Sequence, residues 1–180
     1  MRDSRGFLLP MKINSQVFPK FCVYMALSLA LMILMAYVTA LKGFDVLGEV
    51  MGGSGLGAWL IIIAITAITA FIISKRVWYM KISPLISTLV IYSVLEGVMF
   101  SVFFLGDSVI GVVIVAVIFI LAALFNSEKA MTRKGDPNQS ALAWVLSVHF
   151  GVIMVISFWV LIWGAWDTTK RRYTRHKGGK

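Results

Sequence analysis

The sequence predicts an all-α fold, a polytopic transmembrane helical bundle of about five spans. Three observations point there. Hydrophobic residues make up 59% of the 180 positions and charged residues only 14%, against roughly 45–50% and about 25% in a soluble domain. The apolar residues gather into five long runs. Most of the Lys and Arg lie at the edges of those runs or beyond them. This is how a chain reads when its backbone polar groups must be satisfied inside a bilayer, where helices do so within each segment.

A polar, basic leader, residues 1–16, carries Arg2, Arg5 and Lys12. The first span runs from Val17 to Leu41. It is too long for a signal-peptide core and has no small-residue cleavage pattern, so it reads as a retained span. The loop from Lys42 to Gly55, with Asp45, Glu49 and Gly52-Gly53-Ser54-Gly55, is acidic and flexible. Leu56 to Ile73 forms the second span. A basic turn from Ser74 to Ser83 leads into Pro84, which suits the first turn of a helix. The third span is Leu85 to Leu105. Gly106-Asp107 makes a tight turn, and the fourth span is Val109 to Phe125. Asn126 to Gln139 reads as one long polar loop, with Lys129, Arg133, Lys134 and the breaker Gly135-Asp136-Pro137. The fifth span, Ala141 to Trp166, is long enough to cross with tilt. Residues 167–180 form a basic tail, so the transmembrane domain is 17–166.

The formal net charge is +9. The excess of Lys and Arg in cytoplasmic loops of membrane proteins accounts for it without nucleic acid as a partner. Orientation is in tension, however. The basic leader, the acidic loop at Asp45 and the basic segments at Arg76 and Arg133 place the amino terminus inside. Five spans then put Lys170 to Lys180, the most basic segment, outside. Either the tail departs from the rule, or one span is re-entrant or miscounted. The inner basic surface and scarcity of cysteine suit a prokaryotic plasma membrane, with an organelle membrane as the alternative. Aromatic residues at span ends (Trp59, Trp78, Tyr79, Trp144, Trp163, Trp166) are expected to form an interfacial belt. The ten methionines read as core filling.

A lone cysteine, Cys22, excludes an intramolecular disulfide and any cysteine-based metal motif. No phosphate loop, CxxC, HExxH or nucleophile elbow is present, so neither an enzyme nor a cofactor is expected. The metal question stays open. An ionisable side chain at bilayer depth costs about 2.5–3.5 kcal/mol on insertion scales, which makes Glu96, near the middle of the third span, a candidate ion or proton site. His149, in the first half of the fifth span, is a second. If both helices start from one side, their depths of about 18 and 14 Å allow contact. A carboxyl and an imidazole in contact could sense or relay protons, or simply join two helices. Asp107 and Asp167 lie at span ends and read by position as boundary residues. Gly97, Ser101 and Gly151 are small enough to let helices approach closely, which suits packing within the bundle, against membrane-protein partners or in a homo-oligomer.

Several segments resemble the transmembrane BAX inhibitor motif family, also called the Bax inhibitor-1-like family. Val17-Phe18-Pro19-Lys20-Phe21-Cys22-Val23-Tyr24 resembles its first span, which enters with a Phe, a basic residue and a Tyr. Ile91-Tyr92-Ser93, Glu96-Gly97-Val98 and Ser101-Val102-Phe103 resemble its Tyr-Ser-x-x-x-Gly-x-x-x-Ser pattern. Thr132-Arg133-Lys134-Gly135-Asp136 resembles a Thr-Lys-x-Asp connector, and Ala165-Trp166-Asp167-Thr168-Thr169-Lys170 is similar to Ala-Tyr-Asp-Thr-Gln-Lys. The family has six or seven spans, so the chain would be a reduced or divergent member. The resemblance implies a passive, proton-sensitive cation (calcium) leak. It also implies that Asp167 stands for one member of an acidic pair whose second member has no counterpart in this sequence. The alternative is a non-catalytic accessory subunit of a larger membrane complex.

Overall fold

The computed structural model describes residues 14–40, 55–104 and 109–177. Five helices account for nearly all of them: α1 (Val17–Val38), α2 (Gly55–Ser74), α3 (Ile82–Phe104), α4 (Val109–Thr132) and α5 (Pro137–Lys177). A short 3-10 turn, Val77–Tyr79, joins α2 to α3. There is no strand among the described residues. The leader to Ile13, the acidic loop and the Gly106-Asp107 turn lie outside them.

Helices α1, α3, α4 and α5 are each long and apolar enough to cross a membrane, while the described side chains of α2, Leu60–Ser74, make a shorter apolar helix. The chain has the build of an integral membrane protein. Hydroxyls inside the spans do not compete with the backbone ladder. Thr66, Ser93 and Ser101 donate to the carbonyls of Ile62, Leu89 and Val98 at 2.8 Å each, back along their own helices. Large apolar side chains such as Leu27, Ile68, Ile120 and Phe158 stay exposed on the outside, a surface that only lipid covers at no cost.

The axis of the bundle is α5, which packs against each of the other four helices, and α1 also packs along α3. Over half of the apolar stretch of α5 is buried (56%), against 11% for α4. Towards the start of α5 the rings of Phe21 and Trp144 stack at 3.9 Å, and Phe150 meets Tyr92 edge-on at 4.8 Å. Ile63, Met99, Val115, Val152, Ile156 and Val160 form a second apolar cluster farther along.

The helices alternate in direction. Asn14 donates its backbone N–H to Met131 at the end of α4 (2.9 Å), Tyr24 donates to Asn138 (3.2 Å), and Gln139 donates to the carbonyl of Met80. The starts of α1, α3 and α5 and the ends of α2 and α4 therefore share one face. That face carries Lys75, Arg76, Lys81, Lys129, Arg133 and Lys134. Strict alternation places the end of α5 at the opposite face, so the tension over the basic tail stays with the tail itself and not with a folded-back span.

Three sequence expectations are corrected. The polar loop from Asn126 to Gln139 shrinks to Arg133–Asp136, because α4 continues to Thr132 and α5 begins at Pro137. Asn126, Ser127 and Thr132 hydrogen-bond to carbonyls one turn back, which keeps polar sequence helical. Gly135, at φ 140°, makes the reversal that L side chains resist. Second, the basic tail is no separate segment up to Lys177, since it continues α5 without a break. Third, Trp78 and Trp144 are buried and do not belong to an exposed belt. Trp144 donates its indole N–H to the Ala123 carbonyl at 2.9 Å, which lets the ring enter the core. Tyr79 and Trp166 are exposed as a belt requires. The side chains of Trp59 and Trp163 lie outside the described residues.

Candidate functional site: a buried carboxyl–imidazole–hydroxyl cluster

Three helices each bring one polar side chain to the same depth. Ser28, His149 and Glu96 lie about 16, 18 and 21 Å along α1, α5 and α3 from the shared basic face. Ser28 falls on the buried stripe Val17, Phe21, Ser28 and Met32 of α1. Gly97, next to Glu96, explains how α1 comes so near. A Cβ at Gly97 would stand 2.5 Å from the Met32 carbonyl oxygen and 2.7 Å from the Met35 Cβ. Only glycine fits this crossing.

His149 Nδ1 contacts Glu96 Oε2, the only ion pair among the described residues. On the other side of the ring, Nε2 lies 2.9 Å from Ser28 Oγ. The Ser28 hydroxyl donates to the Met25 carbonyl at 2.9 Å, so its oxygen is left to accept from Nε2–H. With Nε2 protonated, the bond between Nδ1 and Glu96 contains a single proton that either partner can hold. Phe119 closes the ring edge-on at 5.6 Å. His149 is fully buried and Glu96 is 1% exposed. The other carboxyl oxygen, Glu96 Oε1, is buried without a hydrogen-bond partner. The arrangement can hold, share or release one proton in an apolar layer. It also ties α1, α3 and α5 together through groups that are costly to separate.

The structure thus brings Glu96 and His149 together, as their depths allow. Asp167 does not join them: it stands on the same continuous helix, about 27 Å beyond His149, with its side chain outside the described residues. Asp107 also lies outside them. Gly151 faces α4, where a Cβ would meet the Ala122 Cβ at 3.2 Å, so it too sits at a close helix crossing. Ser101 is buried and bonded to its own helix. Among the described residues no group of three or more His, Cys, Asp or Glu side chains is placed to hold a metal ion. Ser28 escaped the sequence reading. Its signal is the helical spacing from Phe21 to Met32, which sets a hydroxyl on the inward face of the first span.

Comparison with known protein families, with curated proteins and with solved structures finds no match.

Proposed function

We propose that the chain is a membrane protein allowing passive, proton-sensitive passage of cations, calcium among them, with the Glu96–His149–Ser28 cluster as its proton-dependent closure. The observation that carries this reading is an ionisable pair buried inside a helix crossing, with one carboxyl oxygen left unsatisfied. Groups of this kind are expensive at bilayer depth, which makes an ion or proton site the default hypothesis for them. The resemblance to the Bax inhibitor-1-like family supports the same reading. With the proton shared, the cluster holds α1, α3 and α5 closed and carries no net charge. Loss of that proton leaves a carboxylate that both loosens the crossing and attracts a cation. Asp167, towards the opposite face, would act as a second, separate acidic station. A prokaryotic plasma membrane suits the basic inner face.

The test is calcium entry into proteoliposomes at about pH 6 and about pH 8, for wild type, Glu96→Gln and Asp167→Asn. Flux that changes with pH in wild type and not in Glu96→Gln supports the reading. No flux above empty vesicles, from folded and inserted protein, overturns it.

A second reading, a non-catalytic accessory subunit, is favoured by one feature. Helix α5 runs to Lys177, about 16 Å past Trp166, where the apolar run ends. A protruding basic helix suits contact with an acidic partner.

A further inference from the structure

We infer that the basic end of the bundle holds a site for the phosphate of an anionic lipid headgroup, formed by Lys129 and Arg133 over Trp78 and Tyr79. The pocket measures about 280 Å³ and is lined by Trp78, Tyr79, Lys129, Thr132 and Arg133. Lys129 Nζ stands 5.0 Å above the Trp78 ring, and the Arg133 guanidinium 5.9 Å from the centre of the Tyr79 ring. The rings hold two cations at neighbouring positions one helical turn apart, where like charges repel. Neither cation is held in an ion pair: that of His149 and Glu96 is the only one among the described residues, and the exposed Glu128 and Asp136 nearby make none. Arg133 Nη1 is moreover buried without a hydrogen-bond partner. A phosphate between Lys129 and Arg133 would satisfy that donor and both charges, and a guanidinium fork beside an ammonium matches its oxygens.

Depth selects the source of the phosphate. Phe125, one turn before Lys129 on α4, is 86% exposed and belongs to the lipid-facing surface. The pocket therefore sits one turn outside the hydrocarbon layer, at the level where aromatic side chains meet headgroups. A lipid phosphate held there has its acyl chains alongside Phe125 and Leu124, while a free phosphate has no use for that surface. Lys81 and Lys134 on the same face add a field that concentrates anionic lipid. The site is independent of the proposed ion passage.

Native mass spectrometry of the detergent-solubilised full chain, titrated with dioctanoyl phosphatidylglycerol or dioctanoyl phosphatidylcholine, tests the site. The control variant Lys75→Gln/Arg76→Gln removes the same charge from exposed positions outside the pocket. The expected result is one tightly retained phosphatidylglycerol per chain, weakened about 10-fold or more in Lys129→Gln/Arg133→Gln and little changed in the control. Equal weakening in both variants would mean diffuse attraction and would overturn the site. Equal retention of phosphatidylcholine would overturn the requirement for an anionic headgroup. Displacement of the lipid by an equal concentration of inorganic phosphate would overturn the assignment to lipid.

Discussion

Gly97 of α3 lies against the backbone of α1 at Met32, so close that one added carbon would come within 2.5 Å of the Met32 carbonyl oxygen. That crossing positions everything beside it. Glu96 precedes Gly97 in the chain, and Ser28 lies one turn before Met32, so the approach of two backbones brings a carboxyl and a hydroxyl to the two ring nitrogens of one imidazole. A flexible side chain could yield to an intruding carbon. A helix backbone yields only if the helices part.

Gly97→Ala is therefore expected to destabilise the protein by about 1–3 kcal/mol, as overpacking does elsewhere. Gly151→Ala, whose new carbon meets only the Ala122 Cβ at 3.2 Å, is expected to change stability far less. Thermal unfolding in detergent, followed by size-exclusion chromatography, checks the order of the two.

The Glu96–His149 pair predicts coupling between two substitutions. Removing one member of a buried pair strands the other, so His149→Ala and Glu96→Ala should each be strongly destabilising. The double variant should lose less than the sum of the two. Hydrogen bonds between membrane helices have measured couplings averaging about 0.6 kcal/mol and reaching about 1.7, and this pair should fall at the upper end. A double-mutant cycle on unfolding midpoints measures it; additive losses would mean that the two groups do not interact.

Ser28→Ala removes the acceptor for Nε2–H and leaves a buried donor unpaired. The expected loss is about 1–3 kcal/mol. Ser147→Ala, two residues from His149, removes only a bond to the Ala143 carbonyl in its own helix and should be nearly silent. The comparison separates the cluster from the many span hydroxyls that merely satisfy themselves.

Trp144→Phe should retain most of the stacking on Phe21 while losing the bond to the Ala123 carbonyl. Trp144→Ala loses both and should cost about 3–5 kcal/mol. If the alanine variant were as stable as the phenylalanine one, the ring would belong to the interface and not to the core.

The sequence made the helices and the Glu96–His149 contact legible for one physical reason. Long apolar runs are helices in lipid, and depth along a helix is linear in residue number. Two charged residues at matching depth on helices starting from one side had a simple way to meet. What stayed hidden was rotation about each helix axis. The span hydropathy of α1 is uniform, so nothing in composition distinguishes inward Ser28 from outward Leu27. The same blindness put Trp78 and Trp144 in a belt, because both stand at span ends where exposed aromatics also occur. Helix α4 outlasts its apolar run because polar residues from Asn126 to Thr132 bond back along the helix, so polarity there does not mark the end of the helix.

The most direct test of the central claim, that the shared proton of Glu96 and His149 controls passage of cations, is calcium entry into proteoliposomes measured as a function of pH. Wild type should pass more calcium near pH 8 than near pH 6, since losing the shared proton leaves a carboxylate that attracts a cation. Glu96→Gln should pass little at either pH, and Asp167→Asn should reduce the flux without abolishing its pH dependence. A Glu96→Gln protein that is folded, inserted and still as pH-dependent as wild type would contradict the claim.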